Sequence, residues 1–235
     1  ELVRAIKKES ANIVVLMTKA AKRFITPLTL ETLSGNKVYS ETFSSPLSHI
    51  EVTNNSDIMV IAPATANIIG KMASAIADNI VSLCFIAFKG PVIFAPSMNS
   101  KMYEHPLVQK NIQKLKEIGC IEVTPEEGEL ACNVVGKGKM ASIERIIENI
   151  KYALSPKELF GKKIVITAGP TREPIDPIRY ISNRSSGKMG YALAKVARRK
   201  GAKVVLISGP TELKTPEGVE IIKIETTEQM LKAVL

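Results

Sequence analysis

The 235-residue sequence contains no tryptophan, and it has only five tyrosines and six phenylalanines. It therefore has few rings on which nucleic-acid bases could stack, although its net charge of +9 is strongly basic. We expect no nucleic-acid partner, and we expect the positive charge to attract small anions such as phosphates and nucleotides. No apolar run approaches the length of a bilayer, so we also expect no membrane partner.

Cysteine is also scarce, because Cys84, Cys120 and Cys132 are the only three. Their spacing fits neither a disulfide framework nor a four-cysteine zinc site. This pattern favours a reducing, cytoplasmic setting. Cys84 and Cys120 lie in apolar segments and are predicted to be core residues, whereas Cys132 lies in a polar stretch.

Two apolar runs end in small residues around an Ala-Pro pair. Residues 57–62 lead into Pro63-Ala64-Thr65-Ala66-Asn67, where a helical pattern begins, and residues 91–95 lead into Pro96-Ser97-Met98-Asn99. In a parallel α/β sheet, both turns lie at the carboxyl ends of strands, where open sheets bind ligands. These turns are therefore the first candidates for a binding site.

Strands and helices alternate in two successive blocks, which predicts two parallel α/β domains. We predict a first domain over residues 1–154, a linker over 155–161, and a second domain over 162–235. We predict no regular elements in the polar, glycine-containing residues 125–140 or in the long loop after the strand at 163–168. Long loops of this kind are more often functional than idle.

The second of these loops concentrates polar groups. Gly169-Pro170-Thr171 follows a strand, and Gly187-Lys188-Met189-Gly190 opens a helix whose free N–H groups could bind phosphate. These glycines alone could equally serve tight turns and close packing. The run from Asp176 to Ser186, however, gathers hydroxyls, an amide, two arginines and an acid with few apolar anchors, which indicates a functional loop.

Four motifs in this sequence resemble two enzyme families that occur fused. The string from Gly169 to Gly190 resembles the start of the phosphopantothenate–cysteine ligase domain. Residues 63–68 resemble the Pro-Ala-Ser-Ala-Asn-Thr motif of the phosphopantothenoylcysteine decarboxylases, which are flavoproteins. Residues 96–99 resemble the Pro-X-Met-Asn motif of that family, and residues 131–140 resemble its substrate-clamp loop. The four motifs occur in the family's order and span most of the chain.

The resemblance implies a Rossmann-like (flavodoxin-like) three-layer α/β flavoprotein domain, followed by the start of a second Rossmann-like parallel α/β domain. Compared with the family, the sequence lacks the opening strand with its glycine-rich turn and the later part of the ligase domain, so we expect it to be incomplete at both ends. We therefore expect no cysteine ligation from these residues alone. Because family members place FMN at subunit interfaces, the resemblance implies a homo-oligomer built on trimers.

For the first domain, the resemblance implies decarboxylation of 4′-phosphopantothenoylcysteine to 4′-phosphopantetheine, with FMN oxidising the cysteinyl thiol before CO2 leaves. A lone histidine is usually structural, but the resemblance makes His49 the catalytic base and leaves His105 as a surface residue. Met98 and Asn99 would bind the substrate carboxylate. An uncharged amide can hold that carboxylate without stabilising it so strongly that loss of CO2 is slowed. The implied flavin contacts are Thr18, Phe24, Ala64, Thr65 and Asn67.

For three of the implied catalytic or binding roles, an ordinary structural role is the alternative. Cys132 by default is a small buried hydrophobe, whereas the family uses the matching cysteine to donate a proton late in the reaction. Lys137 and Lys139 are either ordinary loop charges or partners of the substrate phosphate. Phe24 is either a core residue or a contact of the flavin ring.

For the second domain, the resemblance implies CTP-dependent ligation of 4′-phosphopantothenate with cysteine, with Mg²⁺ offsetting the triphosphate charge. Asn183 would be a catalytic amide. The implied CTP contacts are Arg179, Ser185, Ser186 and Gly187. The sequence does not identify metal ligands.

Three other functions compete with this interpretation. A stand-alone flavin-dependent cysteine decarboxylase is disfavoured by the ligase-like string after Gly169. A non-catalytic regulatory homologue is disfavoured because His49, Asn99 and Cys132 are all present. A nicotinamide dehydrogenase would require Gly-X-Gly-X-X-Gly after its first strand, and the sequence has no such motif.

Overall fold

The computed structural model describes residues 1–42, 48–129 and 135–235. The chain forms two compact units, Glu1–Ile150 and Lys151–Leu235. Both units alternate helices with parallel strands, so the α/β class predicted from the sequence is confirmed. No helix among the described ranges is long and apolar enough to cross a membrane.

The first unit begins with short elements and then builds a parallel sheet. In chain order its elements are α1 (Leu2–Lys8), β1 (Val15–Leu16), a 3-10 helix (Ala21–Arg23), α2 (Pro27–Ser34), β2 (Val38–Tyr39), α3 (Ser48–Asn54), β3 (Met59–Ala64), α4 (Ala66–Ala73), α5 (Ile80–Ala87), β4 (Val92–Pro96), α6 (Ser100–Tyr103), α7 (Pro106–Glu117), β5 (Ile121–Glu122), β6 (Glu126–Glu129), β7 (Val135–Lys139) and α8 (Ile143–Leu154).

The sheet of this unit has the order β3-β4-β5, with all three strands parallel. Every residue of β4 is buried, as expected for a central parallel strand that is covered on both faces. Helix α4 contributes Ile68, Ile69 and Met72 to the same core. Strands β1 and β2 form a separate parallel pair, and β6 and β7 form an antiparallel hairpin.

The end of β3 differs from the prediction. The strand predicted to end at residue 62 runs from Met59 to Ala64, so it includes Pro63. Proline cannot donate to a sheet ladder, and the pairing with β4 is irregular here between Ile61 and Ala64, which accommodates it. The helix then begins after Thr65, whose side chain caps it.

Residues 125–140 were predicted to lack regular structure, and that prediction is wrong for the described part. Strands β6 and β7 pair with Glu126 opposite Lys139 and Glu127 opposite Lys137. Opposite charges across an antiparallel pair stabilise it. No apolar alternation marks these strands in the sequence, because their pairing depends on charge and glycine.

The second unit contains β8 (Lys163–Ala168), β9 (Arg172–Pro174), β10 (Tyr180–Ser182), α9 (Lys188–Arg199), β11 (Lys203–Ser208), β12 (Glu220–Lys223) and α10 (Thr227–Val234). Its parallel sheet has the order β12-β11-β8, and α9 packs on it through Tyr191, Ala194 and Ala197. The long loop after β8 was predicted to lack elements, but β9 and β10 form an antiparallel hairpin within it.

Candidate functional sites at the strand ends

The two Ala-Pro turns of the first unit lie side by side, as the parallel pairing of their strands requires. Ala64 at the end of β3 is paired with Pro96 at the end of β4. One residue later, the Ser97 N–H donates to the Ala64 carbonyl oxygen at 3.0 Å. This bond fixes the distance between the turn predicted to bind flavin and the turn predicted to bind substrate.

The turn after β3 exposes two polar side chains at the start of α4. Ala64 is completely buried, so it can offer only backbone atoms to a ligand. Thr65 and Asn67 are exposed. The Thr65 Oγ1 accepts the Ile68 N–H at 3.4 Å, a long cap that leaves the hydroxyl open to solvent.

The other two predicted flavin contacts flank the 3-10 helix. The Thr18 Oγ1 accepts the Ala21 N–H at 3.2 Å and so fixes the start of that helix. The Phe24 side chain is 91% exposed, which excludes the core role considered for it within the single chain. Leu28 nearby is also largely exposed. Burying an aromatic side chain is worth about 1.5–3 kcal/mol, so a ligand or a partner subunit that covered Phe24 would gain this energy.

His49 lies in the first turn of α3, and its imidazole is held partly inside the unit. Its Nδ1 is buried and has no hydrogen-bond partner among the described residues. A buried polar nitrogen without a partner costs about 1–3 kcal/mol, and such groups often mark functional sites. The backbone at this position is well anchored, because the Thr53 Oγ1 donates to the His49 carbonyl oxygen at 2.8 Å.

Cys84 and Cys120 are buried, as predicted for core residues. Burial raises the pKa of each thiol to about 11, so neither is a thiolate near neutral pH. The Cys84 Sγ lies 3.9 Å from the His49 carbonyl oxygen, so α5 contacts the backbone of the helix that carries the histidine. Cys132 lies outside the described residues, in the connection between β6 and β7.

The turn after β4 leads into the short helix α6, and Asn99 caps it. The Asn99 Oδ1 accepts the Lys101 N–H at 2.9 Å, which orients the amide. Met98 packs against the core of the unit. Lys137 and Lys139 are exposed on β7, and the Lys137 Nζ lies 3.8 Å from a Glu127 carboxylate oxygen. The phosphate role predicted for these lysines therefore competes with an ion pair within the hairpin.

Tyr103 anchors α6, and with it the Asn99 turn, to strand β5. Its hydroxyl donates to the Glu122 Oε1 at 2.9 Å, and burial together with Glu122 raises the tyrosine pKa to about 12. The Lys116 Nζ lies 3.5 Å from the other oxygen of the same carboxylate.

Replacing Tyr103 with phenylalanine should lower the free energy of unfolding by about 1–3 kcal/mol, because the buried Glu122 loses a donor. Urea unfolding of the first unit, followed by circular dichroism, measures this change. The matched control is Tyr39→Phe in β2, for which we expect a change below about 0.5 kcal/mol. Equal losses in the two variants would contradict the anchoring role.

In the second unit, the ends of β8 and β11 carry the same tripeptide. Gly169-Pro170-Thr171 follows β8 and Gly209-Pro210-Thr211 follows β11, and the strands pair in register from Lys163 opposite Lys203 to Ala168 opposite Ser208. The two turns touch, since a Cβ atom on Gly209 would lie 1.7 Å from the Pro170 carbonyl oxygen. The second turn was not predicted, although the repeated Gly-Pro-Thr is visible in the sequence.

The start of α9 lies against these paired turns. Gly187 caps the helix without a side-chain hydrogen bond and has φ +74°, and a Cβ there would lie 2.9 Å from the Thr211 Cγ2. Gly190 is equally tight, since its Cβ would lie 2.6 Å from the Ala168 Cβ. Here the glycines permit close approach, and the helix N-terminus also remains open to an anion.

The polar residues predicted for the ligase site are exposed and engaged locally. The Asn183 Oδ1 accepts the Ser185 N–H at 2.9 Å. The Arg179 Nε donates to the Asp176 Oδ2 at 2.5 Å. The Ile178 N–H and then Arg179 hold the pKa of Asp176 below its usual value. Ser186 is exposed beside the buried Gly187.

A cavity of about 660 Å³ opens at the ends of β11 and β12. Its polar lining includes Arg172, Tyr191, Ser208, Thr211, Lys223 and Gln229, and it does not include the predicted Arg179, Asn183 or Ser185. The Tyr191 hydroxyl lies 3.0 Å from the Ser208 Oγ and 3.2 Å from the Thr211 Oγ1. Within the part of the chain that the structure describes, no group of acidic, histidine and cysteine side chains could hold a metal.

Comparison with known proteins agrees with this organisation. A family model described as Flavoprotein matches residues 1–155, and the DNA/pantothenate metabolism flavoprotein C-terminal domain matches residues 159–235. The coenzyme A biosynthesis bifunctional protein CoaBC of Bacillus subtilis (strain 168) is 45% identical over 242 residues, which cover 100% of this chain and 60% of that protein. The chain thus spans about 60% of the length of the curated relatives it matches.

Solved structures resemble the chain in fold. A PPC decarboxylase variant complexed with pantothenoylaminoethenethiol has a TM-score of 0.56 and 27% identity, covering 63% of this chain and 86% of that one. The FMN binding protein AtHal3 has a TM-score of 0.54 and 28% identity, covering 63% and 85%. These neighbours confirm the flavodoxin-like fold, and the relatives confirm the resemblance to the fused decarboxylase–ligase proteins. Because the first family model matches more than half of its residues, the chain belongs to the flavoprotein family.

Proposed function

We propose that the first unit binds FMN and decarboxylates 4′-phosphopantothenoylcysteine to 4′-phosphopantetheine, a step of coenzyme A biosynthesis. The observation that carries the proposal is the buried Nδ1 of His49, which has no hydrogen-bond partner among the described residues, in a unit whose two candidate turns are hydrogen bonded to each other. The relatives supply the substrate class, because they are coenzyme A biosynthesis proteins.

The residues present fit a flavin. The exposed Phe24 ring offers an uncovered aromatic face, and the Thr65 and Asn67 side chains are open at the start of α4. Thr18, which fixes the 3-10 helix before Phe24, would lie at the flavin phosphate. When bound, FMN supplies a reversible two-electron oxidation of the cysteinyl thiol, without which the carbanion left by CO2 is unstabilised.

The protein's own groups then have distinct tasks. His49 accepts a proton through the imidazole, whose Nδ1 has no competing partner in the described residues. The Asn99 amide, whose oxygen caps α6, orients the substrate carboxylate as a neutral hydrogen-bond donor, with Met98 beside it. Cys132 donates the late proton to the decarboxylated carbon, and Lys137 and Lys139 attract the substrate phosphate.

The visible flavin absorbance of the purified chain, together with CO2 release from 4′-phosphopantothenoylcysteine, tests this function. We expect a yellow protein that turns over this substrate. A yellow protein that acts only on peptides ending in cysteine would support a stand-alone cysteine decarboxylase instead. A flavin-bound protein that releases CO2 from neither substrate would support the non-catalytic alternative.

We further propose that the second unit is part of a CTP-dependent ligase that joins 4′-phosphopantothenate to cysteine. The support is the start of α9, which has no side-chain cap at Gly187 and lies in contact with two Gly-Pro-Thr turns. Ser185, Ser186 and Arg179 would contact CTP, Asn183 would be the catalytic amide, and Mg²⁺ would accompany the triphosphate.

Calorimetric titration with CTP, with and without Mg²⁺, tests this binding. Ser186→Asp should weaken CTP binding, because it places a carboxylate at the helix start.

We also propose a homo-oligomer built on trimers, as the family resemblance implies, because a subunit interface could bury the largely exposed Phe24 and Leu28 side chains. Sedimentation equilibrium of the flavin-bound chain measures its mass. A monomer that retains full flavin content would contradict this proposal.

A further inference from the structure

The Met98–Asn99 turn is hydrogen bonded on two sides by consecutive amides. The Ser97 N–H donates to Ala64 at the end of β3, and the Met98 N–H donates to the Gly138 carbonyl oxygen in β7, each at 3.0 Å. Consecutive amides of an extended chain point in opposite directions, so the turn is fixed between two strands that do not pair with each other. Strand β7 therefore lies directly against the candidate substrate site.

The approach of β7 to this turn is too close for any side chain. A Cβ atom on Gly138 would lie 2.1 Å from the Met98 carbonyl oxygen, and one on Gly136 would lie 2.9 Å from the Ser100 Cβ. Alternate residues of a strand share a face, so the glycine–lysine alternation of β7 gives it one bare backbone face and one charged face. The bare face contacts the turn.

The far side of the hairpin is held independently. Glu126 accepts the Ser142 N–H at 3.0 Å and lies 3.8 Å from Arg145, and these groups hold its pKa below the usual value. The hairpin is thus fixed to the start of α8 at its base and to the Met98 peptide through β7. Movement of β7 would therefore move the Met98 peptide, whose next residue carries the Asn99 amide.

We propose that Gly138 is a positioning residue for Asn99, a role that rests on the proposed decarboxylation. The backbone of Gly138 holds the Met98 peptide against the end of β3, and so sets the place of the amide that receives the substrate carboxylate. An alanine at this position requires the Met98 carbonyl oxygen to move by about 1 Å before ordinary contact distance is restored. A misplacement of about 1 Å can cost about 10²-fold in rate.

The test compares Gly138→Ala with Gly128→Ala in the flavin-bound chain. Gly128 lies in the partner strand β6, where the contact of an added Cβ among the described residues is with the flexible Lys139 side chain, whose Cδ would lie at 3.2 Å. We expect Gly138→Ala to lose about 10²-fold in kcat/KM while retaining wild-type flavin content, and Gly128→Ala to stay within about threefold of wild type. Equal losses in both variants would assign the effect to the hairpin as a whole and overturn the proposal.

A double-mutant cycle separates positioning from simple destabilisation. If Gly138 acts through Asn99, the Gly138→Ala change costs little further activity in an Asn99→Ala background. Full additivity of the two losses would overturn the proposal even if each variant is impaired. A wild-type chain that binds no flavin or releases no CO2 would refute the proposed function itself, an outcome distinct from normal activity in Gly138→Ala.

Discussion

Replacing His49 with asparagine should abolish measurable CO2 release while the chain retains its flavin. The asparagine amide is close in size to the imidazole but cannot accept a proton near neutral pH, so the loss should reach or exceed the roughly 10²–10⁴-fold contribution of general acid–base catalysis. The Thr53 bond to the backbone carbonyl of this residue does not depend on the side chain, so α3 should keep its start. Flavin absorbance and CO2 release from one preparation measure both results.

The other histidine provides a matched control. His105 caps α7 by accepting the Leu107 N–H at Nδ1 at 3.2 Å, and asparagine is itself a favoured cap. His105→Asn should therefore keep wild-type turnover and helix content. A His49→Asn chain that releases CO2 within about tenfold of wild type would exclude His49 as the base.

Replacing Cys132 with serine should separate the late step from the early ones. The serine hydroxyl is a far weaker proton donor than a thiol, so CO2 still leaves but the decarboxylated product accumulates two hydrogen atoms short of 4′-phosphopantetheine. Mass spectrometry of single-turnover mixtures detects this oxidised product directly. Because this residue lies outside the described part of the structure, the prediction depends on the motif resemblance.

The control for the cysteine is Cys120→Ser. The Cys120 thiol is buried, and burial raises its pKa to about 11, which makes it a poor proton donor near neutral pH. A serine there costs stability, because it buries a hydroxyl, but the product should be fully reduced. Normal product from Cys132→Ser would show that this cysteine is not the donor.

Elements with strong local signals were predicted well from the sequence. The strand predicted over residues 163–168 has these bounds, and α9 begins directly after Gly187, in the glycine-containing run that was predicted to open a helix. Apolar runs, caps and glycines act within a few residues, so their effect can be read without knowing the fold. The two hairpins were missed because their strands are only three to five residues long and lack the alternation of apolar and polar residues that marks a strand.

The candidate sites were predicted in part. Adjacent Ala-Pro turns followed from parallel pairing alone, and the bond between Ser97 and Ala64 agrees with that expectation. The cavity beside β11 was not predicted, because it depends on the contact between the two Gly-Pro-Thr turns, and that contact arises only when β8 and β11 pair. The roles of the named site residues remain predictions.

The sequence by itself determined the α/β class, the positions of the motifs and the flavoprotein resemblance, since these depend on local periodicity and residue identity. Only the tertiary structure decided that Phe24 is exposed, that the His49 Nδ1 is buried with no partner among residues 1–42, 48–129 and 135–235, and that β7 lies against the Met98 turn. Those features arise from contacts between residues far apart in the chain. Burial and close approach are properties of such contacts, so no local pattern encodes them.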